Sequence, residues 1–207
     1  MKSIIITFMV VFYSIYINGQ ELQIAPEIWS SPEIIAEIDE WGEVGWSPSI
    51  DFTGTKLYFE AGYLRYIEKT DSGWGAVETL NSNINQHLAR TPTISPNGRR
   101  LFFSWYVDGW DLYYSDWDSI TNDWGTAISC GPEVNSPFDA EIGCTLPDDT
   151  TLIFLRNNTA FISQWNNKSS QWGQASGFPT NDLAAYSTWG IYTNYNKTKY
   201  YQVLPRT

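Results

Sequence analysis

An all-β chain, a β-propeller built of four-stranded antiparallel blades, is the fold this sequence predicts, and three observations predict it. A hairpin phrase recurs as IDFTGTKLYF (50–59), ISPNGRRLFF (94–103) and TLPDDTTLIF (145–154), with a looser copy YTNYNKTKYY (192–201). A Trp-Gly pair keeps the same beat, at 74–75, 124–125 and 172–173. Beyond residue 20, no stretch carries the 3.6-residue apolar period of an amphipathic helix. Four short strands repeated every 45 to 50 residues or so make the pattern of a propeller blade.

The elements follow in chain order. Residues 1–20, MKSIIITFMVVFYSIYINGQ, begin with a lysine, continue in an apolar run and leave through Asn18-Gly19-Gln20. The run is short for a membrane span and has the plan of a secretory signal peptide. The expectation is an exported mature chain, periplasmic or extracellular, with no membrane insertion once the leader is removed. Residues 27–38 read as an outer strand with no inner strands before it. Three units follow, at about 46–80, 91–132 and 140–178. Each opens on a strand and passes a turn of Gly, Asn or Asp into an apolar strand beginning at Leu57, Leu101 or Leu152. A third strand then alternates (GYLRYIEKT, WDLYYSDWD, TAFISQWNN), and the Trp-Gly segment and an Asn close the unit. Residues 187–207 read as inner strands without an outer one. With 27–38 they make either the split closing blade of a four-bladed ring or the ends of a fragment of a larger propeller.

Composition narrows the function. With 12 Lys+Arg against 23 Asp+Glu the net charge is −11, which excludes the electrostatics of nucleic-acid binding and of attraction to anionic membranes. No nucleophile motif, zinc-ligand spacing or phosphate loop occurs, so no cofactor, metal site or catalytic residue is assigned. The acidic segment 108–123 lacks the Gly and Glu of a calcium loop, because Thr121 and Ala127 stand at those positions. Cys130 and Cys144 admit a disulfide in an exported chain, or two buried free thiols.

The stretch SPNGRRLFFSWYVDGWDLYYSDW (95–117) resembles the WD40-like (PD40) repeat of TolB-type propellers, with its Ser-Pro-Asp-Gly-Lys turn and Asp-Leu-Tyr strand. The resemblance runs from about 27 to 201. It loosens where Phe52-Thr53-Gly54 and Pro147-Asp148-Asp149 replace Pro-Asp-Gly, and where the fourth copy lacks the Gly. It implies an exported propeller and a structural hydrogen-bonding role for Asp111. It implies no single activity, since propellers host many.

A propeller binds ligands where loops lead into its innermost strands. Aligning the units brings Trp46, Arg90, Glu141 and Thr188 to one equivalent position, with Trp41, His87, Asp139 and Tyr186 on the same loops. These residues are the expected binding patch. The functional expectation is an exported binding or scaffold module for a protein, peptide or glycan partner. The alternative is a carbohydrate-active hydrolase or lyase using carboxylates on that face.

Overall fold

The computed structural model describes residues 16–17, 20–21, 35–39, 46–137, 141–157, 159–178, 190–193 and 200–203. Its contacts divide the chain into two compact units, Met1–Ile35 and Ala36–Thr207. In the first, β1 (Tyr16–Ile17) pairs antiparallel with β2 (Gln20–Glu21). The rest of the leader read over 1–20 lies outside the described residues, as do residues 27–34 of the expected outer strand. Residues Ala36–Asp39 form a helical turn, α1, where that reading expected extended chain. Alanine and glutamate favour the helical turn locally. No helix among the described residues is long and apolar enough to cross a membrane.

The second unit is built of repeated sheets. The first holds β3 (Trp46–Ile50), β4 (Lys56–Ala61), β5 (Tyr63–Thr70), β6 (Gly73–Trp74) and β7 (Glu78–Thr79). The second holds β8 (Leu88–Ile94), β9 (Arg100–Tyr106), β10 (Trp110–Asp118), β11 (Asp123–Trp124) and β12 (Ile128–Ser129). The third holds β13 (Glu141–Asp148), β14 (Thr151–Arg156), β15 (Thr159–Asn166), β16 (Gln171–Trp172) and β17 (Ser176–Gly177). A further hairpin pairs β18 (Gly190–Thr193) with β19 (Tyr200–Val203). In each of the three sheets the strands run in sequence order, all antiparallel, and two short pieces pair with the third strand. Those pieces are one outermost strand broken just after its tryptophan, so each sheet is a four-stranded blade. The innermost strands β3, β8, β13 and β18 lie side by side in that order.

Local chemistry explains the repeat. In the second blade's first hairpin, the Ser95 N–H donates to the Arg100 carbonyl at 2.8 Å, and the Arg100 N–H donates to Ser95 Oγ at 3.0 Å. Gly98 sits at φ 70°, a left-handed position that favours glycine. Asp51 does the work of Ser95 in the first blade, accepting the Thr55 and Lys56 N–H groups on Oδ1, both at 2.8 Å. Burial pushes the Asp51 carboxyl up, but hydrogen bonds from Thr53, Lys56 and Thr55 outweigh it and hold the group below its ordinary value.

The Trp-Gly beat marks the break in the outermost strand. Trp124 and Trp172 are buried and pack edge-on against their cross-strand partners Trp117 and Trp165, with ring centroids 5.2 Å apart in both pairs. The glycine that follows donates its N–H to the third strand, Gly125 to the Asp116 carbonyl and Gly173 to the Gln164 carbonyl. A Cβ on either would come within 3.3 Å of that carbonyl oxygen, so only glycine makes the approach without strain.

Large side chains fill the space between neighbouring blades. Tyr58 and Leu64 of the first blade join Leu101, Phe103, Trp105 and Trp124 of the second in one core. Phe102, Leu112 and Tyr114 join Leu152, Phe154 and Trp172 in the next. One device spans both interfaces. Lys56 pairs with Glu68 across its own sheet at 2.5 Å and lies over the Tyr66 ring at 4.4 Å and the next blade's Trp117 at 5.6 Å. Arg100 repeats it with Asp116 at 2.6 Å, Tyr114 at 4.1 Å and Trp165 at 4.7 Å. A cation–π contact that is partly desolvated strengthens such an interface.

Cys130 and Cys144 are both free thiols, buried in the core shared by the second and third blades. Of the two readings left open by the sequence, the structure holds the thiols and not the bridge. Burial pushes the Cys144 thiol up to about 12 and the Cys130 thiol well above its ordinary value, so little nucleophilic thiolate forms. An aromatic disulfide reagent should therefore titrate neither thiol in the folded protein and both in denaturant. No reaction in either condition would mean a disulfide.

Candidate functional site

Each blade has a leading end, where the chain enters its innermost strand, and a turn end, where the first hairpin folds back. The expected patch lies at the leading end. Trp46, the first residue of β3, stands opposite Glu60; Arg90 of β8 stands opposite Ser104; Glu141 of β13 stands opposite Arg156. In all three strands the next paired position is three residues on, while the partner advances by two: Ser49 meets Tyr58, Thr93 meets Phe102, and Cys144 meets Phe154. One extra residue is bulged out at the same place in every blade. The backbone turns left-handed there, at Ser47 (φ 51°), Thr91 (φ 51°) and Gly143 (φ 76°). Trp41, Asp139, Tyr186 and Thr188 lie outside the described residues.

The bulges carry bonds between blades. Ser104, fully buried, shares a 3.0 Å hydrogen bond with Thr91 and accepts the Gly143 N–H at 3.2 Å. Thr93 donates to the Cys144 carbonyl at 2.9 Å, and the Ile94 N–H donates to Ser49 Oγ at 3.1 Å. The leading end is thus built on rigid, cross-linked strands, which suits a site that must hold its shape.

A row of side chains runs across the first two blades here. Trp46 and Glu60 are cross-strand partners, so their side chains leave the same face of the sheet. Glu60 pairs with Arg90 Nε at 3.2 Å. The Arg90 guanidinium lies 5.0 Å from the centre of the Trp110 ring, and Trp110 packs edge-on against Tyr106 at 5.4 Å. Trp46, Tyr106 and the neighbouring Tyr63 are about half exposed or more. Burial raises the Glu60 carboxyl, and the Arg90 charge and the Thr91 N–H offset only part of that rise.

His87 stands just before β8 with its ring edge-on to Trp105 at 4.8 Å, while Trp105 Nε1 donates to the Ile84 carbonyl at 2.6 Å. Asp111 corrects an expectation. Its carboxylate has no hydrogen-bond or ionic partner among the described residues, and burial alone raises its pKa. A structural hydrogen-bonding role at this place belongs to Asn135, which accepts the Leu112 N–H at 2.9 Å and donates to the Leu112 carbonyl at 3.0 Å. Asn85 does the same for Leu64. A carboxylate cannot both donate and accept at one peptide, and an amide can.

A raised folded-state pKa means that ionised Asp111 costs stability at neutral pH, and that the cost disappears as pH falls through the folded value. Asp111→Asn should therefore raise the melting temperature at pH 7. The gain should shrink as both proteins are melted at progressively lower pH through the carboxylate range. A gain that persisted at low pH would contradict the burial argument.

The turn end holds a cleft of about 350 Å³ between the first two blades, but Lys56, its ion pair with Glu68 and the Trp117 ring line it. The protein's own cation already occupies its aromatic wall.

No family model matches the chain, and no curated protein matches it. Among solved structures it is similar to the putative TolB from Agrobacterium tumefaciens, at 15% identity and a TM-score of 0.52 over 77% of this chain and 53% of that one. The fold is a TolB-type β-propeller. Less similar are TolB from Acinetobacter baumannii, at 12% identity and a TM-score of 0.46 over 77% of this chain and 37% of that one, and the periplasmic gluconolactonase of Pseudomonas aeruginosa, at 10% identity and a TM-score of 0.49 over 76% and 50%. The chain spans about half the length of the Agrobacterium propeller. At these identities the likeness is one of fold, so what the propeller binds must be argued from its own surface.

Sequence reasoning placed Trp46, His87 and Arg90 at this end of the propeller but missed Glu60, Tyr106 and Trp110. Those three come from second and third strands, and their contact with the innermost strands crosses a sheet or a blade boundary. The only signal in the sequence is that each lies next to the second hairpin of its unit.

Proposed function

We propose that this chain is an exported, non-enzymatic binding or scaffold module whose protein, peptide or glycan partner docks on the leading end of the first two blades. The carrying observation is the exposed row of Trp46, Tyr106 and Arg90, with Tyr63 beside it. Tryptophan, tyrosine and arginine dominate the energetics of binding surfaces, and the two aromatic residues offer large contact area at small conformational cost. Here they stand on cross-linked strands. The export part rests on the leader pattern of residues 1–20.

The rival, a carbohydrate-active hydrolase or lyase, needs two carboxylates facing a substrate, about 5 to 10 Å apart. At the leading end Glu60 is one half of an ion pair with Arg90 and not one of two opposed carboxylates, which favours the binding reading. The test is to immobilise the mature propeller and pass over it separate pools of synthetic peptides, envelope proteins and soluble glycans. Retention of one pool, lost in Trp46→Ala/Tyr106→Ala protein of unchanged circular dichroism, is the expected result. Binding indifferent to that double change, or release of cleaved products from a pool, would overturn the reading.

A further inference from the structure

We infer that the ligand of the leading end is a neutral oligosaccharide, held by the Glu60–Arg90 pair and stacked on the exposed indole of Trp46. The inference rests on the binding reading above and names its partner. Arg90 spends only Nε on Glu60, and its four terminal N–H groups have no acceptor among the described residues. The guanidinium lies over the Trp110 ring with its Nε beside Glu60, and its side chain remains about half exposed. A guanidinium offers its terminal donors as a planar fork, which a ligand at this exposed side chain can reach. Glu60 is ion-paired with Arg90 and accepts the Thr91 N–H, which leaves capacity on a carboxylate that has about four acceptor sites.

The site therefore offers donors and acceptors side by side with no net charge. A carboxylate or phosphate ligand would meet Glu60 and the overall charge of −11, and an ammonium would meet Arg90. Two adjacent hydroxyls meet neither objection, since each hydroxyl both donates and accepts. One can accept from the Arg90 fork while its neighbour donates to Glu60. The flat C–H face of a pyranose is apolar and matches the exposed ring of Trp46, whose side chain leaves the sheet on the same face as Glu60. Tyr106, beside Trp110, extends the platform for a second sugar unit.

The probes are cellohexaose, mannohexaose and laminarihexaose, titrated into the mature propeller by calorimetry with tryptophan fluorescence as a second readout, and polygalacturonate as the anionic comparison. At least one neutral hexasaccharide should bind saturably at millimolar concentration or below, and polygalacturonate more weakly. Arg90→Gln and Trp46→Ala should each weaken that binding about tenfold or more, Trp46→Tyr should retain most of it, and Ile120→Ser, on a distant hairpin tip, should leave it unchanged. Circular dichroism and melting establish that each variant is folded. Absence of binding by all three neutral sugars, or binding insensitive to Arg90→Gln and Trp46→Ala, would overturn the inference. Retention of a peptide or protein pool at the same end would then show that the binding reading survives, and failure of every pool would show that it falls too.

Discussion

Phe102→Ala should lower the stability of the propeller by about 3 to 5 kcal/mol, the range for removing a fully buried aromatic ring. Phe102 has no exposed surface. It lies against Tyr114 of its own blade at 5.7 Å and edge-on to Trp172 of the next at 5.9 Å. Its ring therefore belongs to two sheets at once, and removing it leaves a hole bounded by aromatic rings too large to collapse into it. Chemical denaturation followed by tryptophan fluorescence would measure the loss, since Trp172 borders the cavity. Phe102→Leu, which keeps most of the volume, should cost much less. A loss near zero for the alanine variant would mean that the second and third blades do not pack as described.

Asn135→Leu should cost about 1 to 3 kcal/mol for a different reason, because it strands the N–H of Leu112 in a buried place and leaves the Leu112 carbonyl with the Cys130 N–H alone. The side chain is nearly isosteric, so the loss is one of hydrogen bonding and not of packing. Asn135→Asp supplies the internal check. It keeps the acceptor for the Leu112 N–H, loses the donor to the Leu112 carbonyl and buries a charge. Its deficit should be at least as large at pH 7, and should narrow on acidification as the carboxyl gains the missing proton. Equal deficits for both variants at every pH would argue that Asn135 serves only to fill space.

Most of the fold was legible because its determinants are local. The Asn97-Gly98 turn, the alternation of β10 and the Trp-Gly break each depend on residues close in the chain, and local signals survive in a sequence. The bulges were less legible, although Pro48 and Pro92 mark the same position in two units and proline inside a strand signals an irregularity. In the third blade Ile142-Gly143 stands there instead, which hides the equivalence. The site was legible only in part. An alignment of repeats finds equivalent positions such as Trp46 and Arg90, but Glu60 reaches Arg90 across the gap between blades, and no spacing within one unit encodes that distance. Asp111 shows the opposite failure. Its resemblance to a family position carried an expected role that Asn135, more than twenty residues later, performs here.

The bulge at the head of each innermost strand has a consequence for how this molecule can change. Along a strand, side chains alternate between faces, so a residue gained or lost near its start would turn every later side chain inside out. Here the extra residue is already absorbed at Ser47, Thr91 and Gly143. Everything before that joint is mechanically insulated from the register of everything after it. Trp46, Arg90 and Glu141 are different in chemistry, yet Ser49, Thr93 and Cys144 keep the same pairing. Each blade thus behaves as a fixed socket with an exchangeable head, and new recognition chemistry can be fitted to the heads one blade at a time without rebuilding the core beneath.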